Sequence, residues 1–298
     1  MHNRAPLGVL KVSDRMDDRR LLLVHAHPDD ESVMTGATMI AYARQDATVV
    51  LVTCTRGEFG EIVAPELAGL REAGPDGLGL HREAELAEAL NVLGTARHYW
   101  LGGRGRWRDS GIPAGDHPDS FAAADHEQAV RALVEILRAE RPQVVITYDP
   151  SGGYGHPDHI QANRVTMAAL DPAADPDFAP ELGPPWQVAK VYWMTLSRTT
   201  LQAAADAGLL SSLDAVPHSS TDEEITAVID GRQYLSTKVA ALGAYRSQVD
   251  LQDGFFAAAA IMPEFAVEHY VLARGMRGPG TGPHNWEHDL FAGVEAAG

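Results

Sequence analysis

Residues 21–31 read Leu-Leu-Leu-Val-His-Ala-His-Pro-Asp-Asp-Glu. An apolar run ends in a cluster of histidines and carboxylates. Leu21–His25 has the length and apolar character of a short strand, so the cluster lies in the loop at its end. A second stretch is built the same way. Val144 to Tyr148 is a largely apolar run, Ser151 to Gly155 is a glycine loop, and His156-Pro157-Asp158-His159 follows. Two strand-end loops, each dense in His and Asp, predict one site assembled from distant parts of the chain.

Between and beyond these stretches, strands and helices alternate. Thr48–Cys54 is continuous and β-branched, as in a strand buried in a parallel sheet. His98–Leu101 and Gln143–Tyr148 are further strands. Helices are expected at Glu31–Gln45, Leu80–Leu93, Glu127–Ala139 and His159–Leu170, each with apolar residues on one face. This alternation implies βαβ units with right-handed crossovers. Residues 171–186 hold five prolines and read as a connector. Val188–Met194, Ile225–Ile229 and Phe265–Ala273 are candidate strands, and Tyr234–Arg246 a candidate helix. The expected fold is α/β: a Rossmann-like, mostly parallel sheet flanked by helices, with a smaller C-terminal α/β portion. Residues 1–19 read as a disordered extension, with Met16 an alternative start. Residues 20–185 form the metal-binding core, and 186–298 complete the fold and the substrate pocket. In such sheets ligands bind beyond the carboxyl ends of the strands. The loops His25–Glu31, Thr55–Glu61, Gly102–Asp119 and Asp149–Asp158 are therefore expected to share one crevice.

Composition narrows the function. The 298 residues carry a net charge of −17, which opposes binding to nucleic acid or to an anionic membrane surface. The longest plainly apolar stretch, Phe255 to Met262, is far short of the roughly 20 residues of a spanning helix. A single cysteine, Cys54, rules out an internal disulfide and suits a cytoplasmic setting. Oligomeric state has no signature in the sequence.

Hydrolytic zinc sites use three His or carboxylate ligands and keep one position open. His27, Asp30 and His159 can supply that set. His156 and His159 are three apart, so on a first helical turn both face one side. The ordinary alternative is that Asp30 or Asp158 only caps a helix. That alternative accounts for either cluster alone but not for both together. His117-Pro118-Asp119 repeats part of the pattern without a preceding strand and reads as a turn. His25 reads as core packing or as support for the ligands.

His27-Pro28-Asp29-Asp30-Glu31 with His156-Pro157-Asp158-His159 resembles the PIG-L/LmbE-like zinc N-deacetylases. That family removes acetyl from N-acetylglucosamine-containing substrates. The likeness runs from about residue 20 to the end, through Gly152-Gly153-Tyr154-Gly155 and Trp286-Glu287-His288-Asp289-Leu290-Phe291. The segment Arg106-Trp107-Arg108-Asp109-Ser110-Gly111 is similar to the branch that deacetylates an N-acetylglucosaminyl-inositol on the route to mycothiol. The resemblance implies one Zn²⁺ per chain, with Fe²⁺ also suited to a His₂Asp set. It implies Asp29 as general base, and His156 and Tyr154 as donors to the oxyanion, with Asp158 orienting His156. Asp29 or His156 then protonates the leaving amine. Arg82, Glu61 and Asp109 match family positions that contact a small N-acetylated amino-sugar substrate, and Gln248 is a further carry-over. Trp107 either stacks on a sugar or anchors its loop. Within the same zinc chemistry, the alternatives are a mycothiol S-conjugate amidase or a deacetylase of another N-acetyl sugar. A nucleotide-binding Rossmann protein is disfavoured, because no Gly-x-Gly-x-x-Gly follows the first strand.

Overall fold

The computed structural model describes residues 19–95, 97–111, 117–206, 208 and 219–294. Strand β1 (Arg20–His25) leads into α1 (Asp30–Met34) and α2 (Gly36–Ala43). Next come β2 (Thr48–Thr53), α3 (Gly74–Leu93), β3 (Arg97–Trp100) and α4 (His126–Glu140). Strand β4 (Val144–Thr147) precedes the short α5 (Gly152–Gly155) and the long α6 (Pro157–Ala174). The chain then forms β5 (Lys190–Thr195), α7 (Arg198–Asp206), β6 (Ala227–Asp230), α8 (Leu235–Leu242), α9 (Gly254–Ala259) and β7 (Val267–Arg274).

Among the described residues, seven strands form one sheet in the order β3-β2-β1-β4-β5-β7-β6. Pairing is parallel from β3 through β5, while β7 runs antiparallel to both β5 and β6. The fold is therefore the expected α/β class with a mostly parallel sheet. Leu21 to Val24 and Val144 to Ile146 are wholly buried, which is why these runs show no polar alternation. β1 and β4 are neighbours, with Leu21 opposite Val144 and Leu23 opposite Ile146. Strand order reverses between them, and the crevice of a doubly wound sheet opens at such a point. Both histidine clusters leave the sheet there.

Several boundaries differ from expectation. The helix expected over Glu31–Gln45 is broken at Thr35, whose φ of −137° is not helical. The Thr35 hydroxyl donates to the Glu31 carbonyl and accepts from His25 Nε2 at 2.9 Å. The new N-terminus that the break creates is capped from afar. The Glu268 carboxylate accepts the N–H groups of Ala37 and Thr38 at 2.9 and 2.8 Å, and Lys238 balances its charge at 2.6 Å. α3 starts at Gly74, ahead of the expected Leu80.

The connector expected from residue 171 begins later, because α6 continues through Pro172 to Ala174. Its final carbonyls are satisfied by a buried cation. Arg138, 2% exposed, donates to the carbonyls of Pro172, Ala173, Asp175, Ala179 and Gly183. One guanidinium thus closes the helix and fixes the proline-rich segment after it.

Residues 1–18 of the expected extension lie outside the described residues. Arg19 pairs with Asp289 at 3.0 Å and covers the Phe291 ring. The C-terminal segment is anchored through Glu287, which is fully buried between Lys190 at 2.6 Å and the Tyr192 hydroxyl at 2.7 Å. No helix of the described residues is long and apolar enough to cross a membrane.

Replacing Arg138 by Met should strand several buried carbonyls. Unfolding in urea is expected to show a loss on the order of 3 kcal/mol. A loss below about 1 kcal/mol, within the range of ordinary surface changes, would mean the connector is held by its prolines alone.

Candidate active site

His27 lies two residues beyond β1, and Asp30 opens α1. Between them Asp29 sits at φ 119°, a conformation rare for a residue with a side chain. Strain of this kind costs about 1–3 kcal/mol and persists only when neighbours enforce it. Here they do. Glu31 Oε2 accepts the Asp29 N–H at 3.1 Å, and Glu31 Oε1 is held by the Tyr245 hydroxyl at 2.6 Å. Arg82, on α3, donates to Asp29 Oδ2 at 2.9 Å, to the Gly57 carbonyl at 2.9 Å, and to the Pro28 carbonyl. Burial pushes the Asp29 carboxyl up to about 7, while the Arg82 guanidinium pulls it down.

The second cluster meets the first. His156 caps α6: its Nδ1 accepts the Asp158 N–H at 3.1 Å. In the neutral ring the proton is therefore on Nε2, and burial holds the group neutral, at about 4. His159 donates from Nδ1 to the Gly152 carbonyl at 3.1 Å, which leaves the lone pair of Nε2 to accept a proton or bind a cation. Gly152 is required there, since at φ +70° a Cβ would lie 2.8 Å from Ile160 N.

Two sets of atoms able to ligate a cation converge on His27. On its Nδ1 side, His159 Nε2 is 3.3 Å away and Asp30 Oδ2 is 3.4 Å away, while Asp30 Oδ1 is 3.4 Å from His159 Nε2. On its Nε2 side lie Asp158 Oδ2 at 3.2 Å and Asp109 Oδ1 at 3.4 Å, with His156 Nε2 3.9 Å from the latter. Four ligands around zinc at their usual bond lengths stand about 3.3 Å apart. On the Nδ1 side the His27 and His159 nitrogens match that spacing, and each also lies 3.4 Å from an Asp30 oxygen, Oδ2 for His27 and Oδ1 for His159; nitrogens of His27, His156 and His159 come within 4.8 Å of one another. On the other side, the carboxylates are already engaged. Ser110 donates its N–H at 2.8 Å and its hydroxyl to Asp158. Phe59 and Gly111 donate to Asp109 at 3.2 and 2.9 Å. Asp109 and Asp158 thus fit the role of acceptors for the far N–H of a ligating histidine. Burial alone would discharge His27, yet Asp109, Asp158 and Asp30 raise it well above its ordinary value. The cavity is one that calls for positive charge.

The expected Asp158–His156 contact is corrected. The Asp158 carboxylate lies on His27 Nε2, and it is the Asp158 backbone N–H that sets the His156 tautomer. Tyr154 is half exposed at the mouth, its ring 5.0 Å from His159 and 6.0 Å from His156. Arg82 is 3% exposed and is not on a solvated helix face; one terminal amino group is committed to Pro28 and Asp29 of the base loop and the other to Gly57, while its buried Nε has no partner among the described residues. Gln248 donates to Ser247 Oγ at 3.0 Å, and its Oε1 lies so near Gly60 that a Cβ there would be at 2.4 Å. Arg82 borders the same glycine, so Gln248 and Arg82 share one wall. Glu61 is exposed and makes no hydrogen bond or ion pair among the described residues. Trp107 is 3% exposed against Phe121, so it anchors its loop. His25 is wholly buried on Thr35, and His117 closes a turn with Ser120.

Sequence reasoning overlooked four contributors. Glu58 accepts the Asp109 N–H at 3.0 Å, Ser110 holds Asp158, Tyr245 holds Glu31, and Tyr148 donates to Asp30 Oδ2 at 2.6 Å. Only Ser110 and Tyr148 carried a signal: one follows Asp109 in a glycine-rich loop, and the other ends an apolar run with a hydroxyl.

A family model described as PIG-L, GlcNAc-PI de-N-acetylase, matches residues 22–170. A 1D-myo-inositol 2-acetamido-2-deoxy-alpha-D-glucopyranoside deacetylase from Saccharopolyspora erythraea is 60% identical over 92% of this chain and 100% of its own length. Among solved structures, an N,N'-diacetylchitobiose deacetylase from Pyrococcus horikoshii superposes with a TM-score of 0.62 at 19% identity, covering 87% of this chain and 84% of that one. A 4-carboxy-2-hydroxymuconate hydratase from Pseudomonas putida superposes at 0.59 and 18% identity, covering 89% and 100%, so the fold alone does not select an activity. With half its length matched by the family model and with so close a relative, the chain belongs to the PIG-L family of de-N-acetylases.

Proposed function

We propose that this protein removes the acetyl group from 1D-myo-inositol 2-acetamido-2-deoxy-α-D-glucopyranoside, releasing acetate and the free amine. The observation that carries this reading is the convergence of His27 Nδ1 and His159 Nε2, 3.3 Å apart, on the Asp30 carboxylate, one or other of whose oxygens lies 3.4 Å from each nitrogen, with the Asp29 carboxylate beside them. The substrate is supported by the relative that is 60% identical. These three residues would hold one Zn²⁺, and the same donors suit Fe²⁺. When bound, the ion supplies Lewis acidity to water and to the amide carbonyl.

The remaining work belongs to the chain. Asp29 takes the proton of the attacking water. Its Oδ2 is held by Arg82 at 2.9 Å, which leaves Oδ1 to accept that proton. His156 donates from Nε2 to the oxyanion, in the tautomer fixed by the Asp158 N–H. Tyr154 adds its hydroxyl from the mouth. His156 has only that one proton, which the oxyanion occupies, so Asp29 returns the proton it holds to the leaving amine. Arg82 acts through Asp29 and Asp109 through His27, while Gln248 and Glu61 line the way to the polyol.

A panel of N-acetylglucosaminyl-inositol, N-acetylglucosamine and a mycothiol S-conjugate, scored by amine release, tests the substrate. The inositol-bearing sugar should be turned over best. Preferential cleavage of the conjugate would make the protein an amidase instead. In the same panel Arg82→Ala should lose activity on all substrates by a similar factor, because the guanidinium holds the base. A loss confined to the inositol-bearing sugar would assign Arg82 to substrate binding. His27→Ala and His159→Ala should each abolish stoichiometric metal by elemental analysis. Asp29→Ala should keep its metal yet turn over about 10²–10⁴-fold more slowly. Near-normal turnover in Asp29→Ala would move the base elsewhere.

A further inference from the structure

Tyr148 follows β4 and is 2% exposed. Its hydroxyl accepts the Ala26 N–H at 2.8 Å and donates to Asp30 Oδ2 at 2.6 Å. The direction of the second bond follows from the first, since an amide N–H can only donate. Asp30 Oδ2 also accepts the His27 N–H at 2.9 Å. With two donors that oxygen is saturated. Oδ1, 3.4 Å from His159 Nε2, keeps its lone pairs. The Tyr148 ring stacks on His159, with centroids 4.1 Å apart and planes at 21°, and meets His25 edge-on at 5.6 Å.

We propose that Tyr148 is a positioning residue that makes Asp30 a one-oxygen donor through Oδ1 and fixes the plane of His159. The proposal rests on the reading that His27, Asp30 and His159 hold a divalent ion. Carboxylates bind cations through one oxygen or two. A second Asp30 oxygen would occupy the position that a hydrolytic site keeps open. Tying Oδ2 to a phenol and a backbone N–H removes that option before the ion arrives. A tyrosine that merely filled the core would be replaceable by phenylalanine without effect on metal binding. The two roles therefore separate on one oxygen atom.

The test uses the full chain stripped with a chelator, as wild type and as Tyr148→Phe. Zn²⁺ affinity is measured by competition with a chelating dye, and the Co²⁺-loaded forms are compared by visible absorption. The Phe variant should fold with a somewhat lower Tm without metal, because it strands the buried Ala26 N–H, and should bind Zn²⁺ roughly 10–100-fold more weakly, as loss of a ligand's hydrogen-bond partner typically does. Its Co²⁺ bands should weaken as a second carboxylate oxygen enters. Wild-type affinity together with a wild-type Co²⁺ spectrum would overturn the proposal. Should Tyr148→Phe not fold, wild type carrying ¹³C at tyrosine Cζ supplies the test: one buried tyrosine must shift on Zn²⁺ loading, and no shift refutes the role. His27→Ala is the control for the underlying reading. If it binds Zn²⁺ as wild type does, the ligand set itself is wrong. If only Tyr148→Phe is silent, the positioning role alone fails.

Discussion

The parallel pairing of β1 with β4 is the contact on which the site depends. Leu21, Leu22 and Leu23 lie opposite Val144, Val145 and Ile146, all fully buried. That register brings the end of one strand beside the end of another more than a hundred residues later. His27 and His159 then approach to 3.3 Å. A slip of one residue would turn every side chain of β4 to the opposite face of the sheet. It would also carry His156 and His159 away from the first cluster. The apolar core thus sets the polar geometry, because burial specifies the register.

At the centre of the site one imidazole faces two ways. His27 Nδ1 meets Asp30 and His159, and Nε2 meets Asp109 and Asp158. Three buried carboxylates around one ring would be costly without a cation. The arrangement is tolerable because each acid is also a hydrogen-bond acceptor from the backbone: from His27 for Asp30, Ser110 for Asp158, and Phe59 and Gly111 for Asp109. The glycine-rich loop after β3 is therefore part of the electrostatics of the centre, and not only a cover over it.

The C-terminal portion enters by the same means. Tyr245 reaches Glu31, and Glu85 on α3 takes both the N–H and the hydroxyl of Ser247 at 2.8 and 2.7 Å. Gln248 is thereby set against Gly60 and Arg82. α3 supports the base loop through Arg82 and the pocket wall through Glu85, so one helix carries both.

The sequence by itself determined the sheet class, the strands that carry the two clusters, and the meeting of those clusters at strand ends. These follow from local patterns: apolar runs without alternation, and polar residues packed within four or five positions. Spacing also brought together His156, the cap of α6, and His159 in its first turn, with rings 5.0 Å apart. What only the tertiary structure decided is partnership over long separations. Nothing near Asp158 in sequence says that its carboxylate belongs to His27, 131 residues away. Arg82 reads equally well as a solvated helix residue until Asp29 is placed against it. The break at Thr35, the passage of α6 through Pro172, and the exposure of Glu61 have the same origin. Each is settled by a distant group, Glu268, Arg138 or solvent, that satisfies or leaves a backbone or side-chain polar atom. Periodicity reports which residues share a face, whereas hydrogen-bond satisfaction is a property of the folded whole.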